Sequence, residues 1–205
     1  DTWMLVGANP VGSKWGGIPQ YNPGKRLHEA LSRGMQLVVI DPRLTESARK
    51  AAVHLQCKPG EDPTILAGIA HIIILEQWHD QNFITAETTG FERLRKAVEP
   101  FTPDYVAARA EIPADKLIEA ARLFATGSRG MVTAGTGPNM APRGTLPEYL
   151  VLAINTLCGR WMRAGEQVPN PFVLLPLRHG KAQAEPKPPA FGYGTRLRVR
   201  DLGDN

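Results

Sequence analysis

A three-layer αβα domain built on a mostly parallel sheet is the fold class this sequence predicts, and three observations predict it. Short apolar runs with β-branched residues, such as QLVVI at 36–40, alternate with longer segments of helical periodicity. Each short run stops on glycine, proline, asparagine or aspartate, as strands that feed ligand-facing turns do. Hydrophobic residues make up 42% of the 205, enough for a sizeable core.

The elements follow in order. A strand at 3–7 ends on Gly7-Ala8-Asn9-Pro10 and leads into a Gly/Pro-rich loop reaching residue 22. Asn22-Pro23 supplies an N-cap and a first helical residue, and GKRLHEALSR runs as an amphipathic helix to Gly34, its C-cap. QLVVI is a continuous apolar run, as a strand covered on both faces should be, and it stops on Asp41-Pro42-Arg43. A short helix follows Thr45, and VHLQ at 53–56 reads as a third strand. Pro59-Gly60-Glu61-Asp62-Pro63 then launches a long helix with Ile65, Leu66, Ile69, Ile72 and Ile73 at helical spacing. Three more helices are punctuated by Gly or Pro: FERLRKAVEP, PDYVAARA and PADKLIEAARLFATG. A strand GMVTA at 130–134 enters Gly135-Thr136-Gly137-Pro138-Asn139, and a helix PEYLVLAINTLCG follows Thr145. From residue 165 the chain is Pro-rich without periodicity. This gives a domain over 1–166 and an extended arm over 167–205, in which RLRVR (196–200) reads as an edge strand.

Composition narrows the function classes. A net charge of +4 suits an anionic ligand, but no Lys/Arg cluster or aromatic-basic platform points to nucleic acid. Two cysteines, Cys57 and Cys158, sit in separate elements without metal-site spacing and read as buried reduced thiols. No apolar run is long enough to span a bilayer, and none resembles a signal peptide, so no membrane insertion is expected and the expected compartment is the cytoplasm. The chain enters a strand directly after Asp1-Thr2, without an initiator methionine, which reads as a piece of a longer polypeptide. His54 and His71, among apolar residues, read as core histidines, and Met4, Met35, Met131 and Met162 as core filler.

In an open parallel sheet the ligand crevice lies beyond the carboxyl ends of the strands. Four segments should therefore gather there: Gly7-Ala8-Asn9-Pro10, Asp41-Pro42-Arg43, Pro59-Gly60-Glu61-Asp62 and Gly135-Thr136-Gly137. Glycines 7, 60, 135 and 137 let backbone approach a ligand and aim N–H groups at phosphate oxygens. Asn9 offers a donor and an acceptor on a short arm. Asp41 stands where dinucleotide folds take ribose hydroxyls, and Arg43 could clamp a phosphate or stack on a base. Asp62 matches the two donors of a guanine edge, although Asp62-Pro63 is equally a plain N-cap with proline after it, the stronger reading on the residues alone. No GxGxxG stands between a strand and a helix, and there is no Walker A loop, nucleophile–base pair or metal-ligand cluster. No catalytic residue and no metal ligand is assigned.

The ordered set LVGANPVGS, VVIDPRLTESARKAAVHLQCKPGEDPTILAGIAHIII, GFERLRKAVEPFTPDYVAARAEIPADKLIEAARLFA, GMVTAGTGPNMAPRG and LAINTLCGRWMRAGE resembles the molybdopterin oxidoreductases of the dimethyl sulfoxide reductase and formate dehydrogenase type. The resemblance covers roughly residues 3–166. It implies a Rossmann-like domain holding one of the two molybdopterin guanine dinucleotides of a molybdenum centre. Gly7, Ala8, Asn9 and Pro10 would approach the dinucleotide, and Asp41, Pro42 and Arg43 its nucleotide portion. Gly60, Glu61 and Asp62 would place an acid on guanine, and Gly135, Thr136, Gly137 and Asn139 would near the pterin–pyrophosphate side. The same resemblance implies that the molybdenum ligand, a 4Fe–4S cluster and the second dinucleotide half lie elsewhere in a parent chain. Its other domains and electron-transfer subunits would be the partners, and this piece alone would be inert. Where many relatives read Arg-Pro-Gly-Gly, this chain has Arg163-Ala164-Gly165-Glu166. Two other readings stay open: a nucleotide-binding α/β domain for NAD or thiamine diphosphate, and a non-catalytic module that docks through its basic tail from Arg178 to Arg200.

Overall fold

The computed structural model describes residues 1–14, 18 and 20–166. Two compact units divide the chain, Asp1–Arg163 and Ala164–Asn205, and the second is described only as far as Glu166. The extended arm at 167–205, the RLRVR strand and the basic tail lie outside the described residues.

The first unit runs β1 (Thr2–Val6), α1 (Pro10–Ser13), α2 (Pro23–Ser32), β2 (Gln36–Ile40), a 3₁₀ turn (Ala48–Lys50), β3 (Val53–Leu55), α3 (Asp62–Leu75), α4 (Gln81–Glu87), α5 (Phe91–Val98), α6 (Pro103–Ala110), α7 (Ala114–Thr126), β4 (Gly130–Ala134), α8 (Thr136–Met140) and α9 (Thr145–Leu157). The strands form one parallel sheet in the order β3-β2-β1-β4. Val6 pairs with Ile40 on one side and Ala134 on the other, and Ile40 pairs with Leu55. All four strands therefore end in one row. The chain's direction of travel across the sheet reverses between β1 and β4, the place where such sheets open a crevice.

Strand alternation sorts the side chains into two layers. Met4, Val6, Val38, Ile40, Val53, Leu55 and Val132 join the larger core, beneath α3, α7 and α9. Leu5, Leu37 and Val39 face the other way onto Leu27 of α2 and Ala48. Helix α3 lies at the centre of the larger layer and is apolar on nearly every side, as a fully surrounded helix must be. Its Ile65, Leu66, Ile69 and Ile73 are fully buried, each stabilising the fold by about 1.5–3 kcal/mol.

Two polar devices finish this layer. The buried Asn155 of α9 accepts at Oδ1 from the Val132 N–H (3.0 Å) and donates from Nδ2 to the Val132 carbonyl (3.1 Å) and to the Val151 carbonyl (3.0 Å). Arg160 donates to the Phe124, Ala125, Gly127 and Ser128 carbonyls at the end of α7, satisfying groups that a helix leaves unpaired there.

The structure corrects several expectations. The Gly/Pro-rich loop after β1 contains the helical turn α1, and the glycine turn after β4 winds into α8. Helix α4 carries no apolar period, with Ile84 its one buried residue, and is held by its cap, where Asp80 accepts from the Phe83 N–H (2.9 Å). Asn22 does cap α2, accepting from the Lys25 N–H, and Gly34 (φ +99°) stands one residue past the C-cap Arg33. Asp62 is not the cap of α3: Glu61 occupies that position, and Asp62 is the first helical residue. Met4 is buried, but Met131 and Met162 are 50% and 66% exposed, so these two fill no core. His54 meets the expectation of a satisfied histidine: it is half-buried and its Nε2–H donates to the Asp41 carbonyl oxygen (2.9 Å). His71 is half-buried and makes no hydrogen bond among the described residues, its proton affinity lowered by burial against a smaller opposing pull from Glu99. Cys57 and Cys158 are buried free thiols, each pushed up to about 12 chiefly by desolvation.

Candidate functional site

Because the strands end level, the turns that follow them face one another across a crevice of about 760 Å³. Gly7, Ala8 and Asn9 come from β1, Asp41, Pro42 and Arg43 from β2, Gly60 and Asp62 from the turn before α3, and Gly135, Thr136 and Gly137 from β4. The four segments singled out in the sequence thus converge on one concavity of ordinary ligand-site size. Pro10, Glu61 and Asn139 stand outside its lining. Pro10 is buried as the first residue of α1, Asn139 is exposed on α8, and Glu61 turns toward α6.

Two of the glycines, Gly7 and Gly135, do different work from that expected. The Gly7 N–H donates to the Ile40 carbonyl and the Gly135 N–H to the Val6 carbonyl, each at 2.8 Å, so both prolong the sheet. Gly7 holds φ +56°, and a Cβ there would clash with the ring of Pro138; a Cβ on Gly135 would meet the Gly7 carbonyl oxygen. These two glycines let the turns after β1 and β4 pack on each other at the switch point. N–H groups at the crevice without an acceptor among the described residues include those of Ala8, Asn9 and Gly60, the last in a left-handed turn (φ +88°), and those of Thr136 and Gly137 in the first turn of α8.

Asn9 is spoken for. Its Oδ1 accepts from Ser47 Oγ (2.8 Å) and its Nδ2 donates to Glu46 Oε2 (2.7 Å), tying the turn after β1 to the segment after β2. The backbone at Glu46, then Asn9, holds that carboxyl below its ordinary range. Ser47 and Glu46 were not singled out in the sequence; neither carries a motif. Ser13 of α1, also unmarked, lines the crevice and donates to the Asn9 carbonyl (3.0 Å). The signal for it was Asn9-Pro10, a cap and first residue of the same kind as Asn22-Pro23.

Asp41 is almost fully buried and accepts from the Arg43 N–H (2.8 Å) and, at Oδ1, from Arg43 Nε (3.3 Å), a closed Asx turn that leaves the guanidinium largely exposed at the rim. Asp62 differs. It is 9% exposed, lines the crevice and receives no hydrogen bond from any side chain among the described residues. Desolvation, with the Asp41 and Glu61 charges adding, raises its proton affinity against an opposing hydrogen bond from its own backbone. Its neighbour Glu61 shifts oppositely: burial pushes it up, but donation from Thr64 Oγ1 (2.6 Å) and Arg109 Nε (2.7 Å), with the Arg109 charge, leaves it below its usual value. The crevice therefore presents free backbone donors, a rim cation and one buried carboxylate without a side-chain donor. An anionic ligand with a donor-rich edge fits that set. Among the described residues no group of three His, Cys, Asp or Glu side chains could hold a metal ion, and no helix is long and apolar enough to cross a membrane.

Comparison with known proteins agrees with this architecture. A family model described as molybdopterin oxidoreductase matches residues 1–197. The molybdopterin-containing subunit of thiosulfate reductase from Salmonella typhimurium is 32% identical over 140 residues, 68% of this chain and 18% of that protein. Formate dehydrogenase H of Escherichia coli is 35% identical over 124 residues, 57% of this chain and 17% of that protein. Among solved structures, acetylene hydratase from Pelobacter acetylenicus superposes with a TM-score of 0.70 at 26% identity, over 78% of this chain and 21% of that one. The chain thus spans about a fifth of the length of the proteins it matches.

Proposed function

We propose that this chain, which belongs to the molybdopterin oxidoreductase family, binds the guanosine end of a molybdopterin guanine dinucleotide in the crevice at the strand ends. One observation carries the reading: Asp62, a mostly buried carboxylate to which no side chain donates among the described residues, lines a cleft that also offers free backbone N–H groups. The Watson–Crick edge of guanine presents two adjacent donors, N1–H and N2–H₂, which meet the two oxygens of one carboxylate. Adenine presents an acceptor at N1 and cannot. Ala8, Asn9 and Gly60 would donate to the pyrophosphate, Arg43 would balance its charge, and Asp41, held by Arg43, would face the ribose. Ser47 and Glu46 would act through Asn9 by fixing the turn after β1.

The bound molybdenum supplies the redox chemistry; these residues bind and orient the cofactor. Residues 1–166 would form one domain of a longer, cytoplasmic enzyme that transfers an oxygen atom or a hydride and electrons. A metal ligand, a 4Fe–4S cluster and electron-transfer subunits would belong to that larger assembly, and the present chain alone would be inert even when supplied with cofactor. The relatives' names include a reductase, a dehydrogenase and a hydratase, so this fold does not choose the reaction.

Calorimetric titration with GDP, ADP and NAD, beside an Asp62→Asn variant, tests the site. The expected result is GDP binding that weakens about tenfold or more in the variant, as when a buried hydrogen-bonded pair loses a partner. NAD binding without GDP binding would overturn the reading. Multiple turnover by the cofactor-loaded chain would overturn the inertness.

A further inference from the structure

A second concavity of about 680 Å³ lies on the flank of the domain, between α3, α5, α6 and α9. Its floor is apolar, from Ala67, Leu94, Val98 and Leu150. A smaller hollow of about 270 Å³ shares Thr89, Gly90, Leu94 and Tyr149 with it, so the two form one elongated groove along α9. That helix turns Leu146, Tyr149 and Leu152 outward at 44%, 55% and 51% exposure, three apolar residues at helical spacing on one uncovered stripe. An apolar stripe of this kind on an otherwise charged surface marks an interaction site.

The charge of the groove is one-sided. Arg93, Arg109 and Arg143 line it and no carboxylate does. Arg109 is held by Glu61, but the Arg93 and Arg143 guanidinium groups have no partner among the described residues. The groove also adjoins the crevice. Asp62 and Ala141 line the crevice while Pro63 and Arg143 line the groove, and the Glu61–Arg109 ion pair stands beside both. A polypeptide covering the crevice would reach the groove without leaving the surface.

We propose that this groove seats a segment of the parent polypeptide outside residues 1–205, one that carries apolar side chains for the α9 stripe and a carboxylate for Arg93 and Arg143. The proposal rests on the reading of the chain as one domain of a longer enzyme. The elongated shape favours a polypeptide over a compact metabolite. Continuity with the crevice, together with a chain that spans about a fifth of its relatives' length, favours the same polypeptide over a separate subunit.

The test uses the full-length enzyme with Tyr149 replaced by p-benzoylphenylalanine, irradiated and mapped by mass spectrometry. Cross-links to the same polypeptide outside residues 1–205, at a peptide containing Asp or Glu, are expected. Combined Arg93→Glu and Arg143→Glu changes should lower their yield about tenfold, and reversing the charge of the mapped acid should restore it. Cross-links to a separate protein or a second copy, to residues 1–205 only, or to nothing would each overturn the proposal. So would a yield indifferent to the arginine changes. Guanine nucleotide released from the same samples by acid is measured in parallel. Its absence beside a mapped cross-link would sink the cofactor reading alone, and its presence without one would sink this proposal alone.

Discussion

The flank of the sheet under α3, α7 and α9 and the rim at its strand ends are built on opposite rules. On the flank almost every side chain is apolar, fully buried and in contact with others, and its few polar groups are satisfied by Asn155 and Arg160. At the rim, backbone donors at Ala8, Asn9 and Gly60 are free, Gly7 holds a left-handed turn, and Asp62 is buried without a side-chain donor. The flank supplies stability. The rim gives some of it up to hold groups ready for a ligand, the usual relation between a scaffold and a site.

Five substitutions would break or sharpen that contrast. Phe124→Ala, at a fully buried ring stacked by Arg160, should cost about 3–5 kcal/mol in urea unfolding. A smaller loss than at any rim position would defeat the contrast outright. Asn155→Leu strands the Val132 N–H and carbonyl, and the expected loss is about 1–3 kcal/mol for each group left unpaired. Gly7→Ala should cost about 1–2 kcal/mol from the left-handed backbone, with more from the displaced Pro138, while nucleotide binding falls further than stability does.

The finest test sets two neighbours against each other. A carboxylate raised in the folded state, as Asp62 is, weakens the fold at neutral pH, and that loss fades as pH falls through the folded value. One lowered, as Glu61 is, adds stability above its unfolded value that is lost as pH falls through the folded one. Asp62→Asn should therefore raise the melting temperature of the ligand-free chain at pH 7, by the equivalent of ~0.5 kcal/mol, with the gain vanishing in acid. Glu61→Gln should lower it at pH 7 and also converge with the parent in acid. A fall in stability on Asp62→Asn would mean that its carboxylate is satisfied after all.

The strands were legible because burial on both faces forces continuous apolar runs, and the convergence of their ends followed from parallel topology alone. Helix α4 was illegible for the converse reason: one buried residue makes no period, and its cap Asp80 is a common residue type. At the rim, sequence could mark Gly7 and Gly135 but not what they approach. They open room for each other's turns, while the free donors include Gly60, which the sequence did mark, and Ala8, whose side chain announces nothing. Glu61 and Asp62 are adjacent acids with opposite surroundings: Thr64 of α3 and Arg109 of α6 donate to Glu61, and no side chain donates to Asp62 among the described residues.

The amide of Asn155 has a consequence for how this protein behaves in company. Strand β4 is an outer strand, and an outer strand is a template on which another chain can add. Here the central residue of that strand already has its N–H and carbonyl matched by a side chain with the donor and acceptor pattern of a backbone. A fifth strand finds its middle rung taken. Asn155→Leu would therefore do more than unfold: it would hand β4 back as an open edge, and aggregation at concentrations where the parent stays monodisperse would show it before melting does.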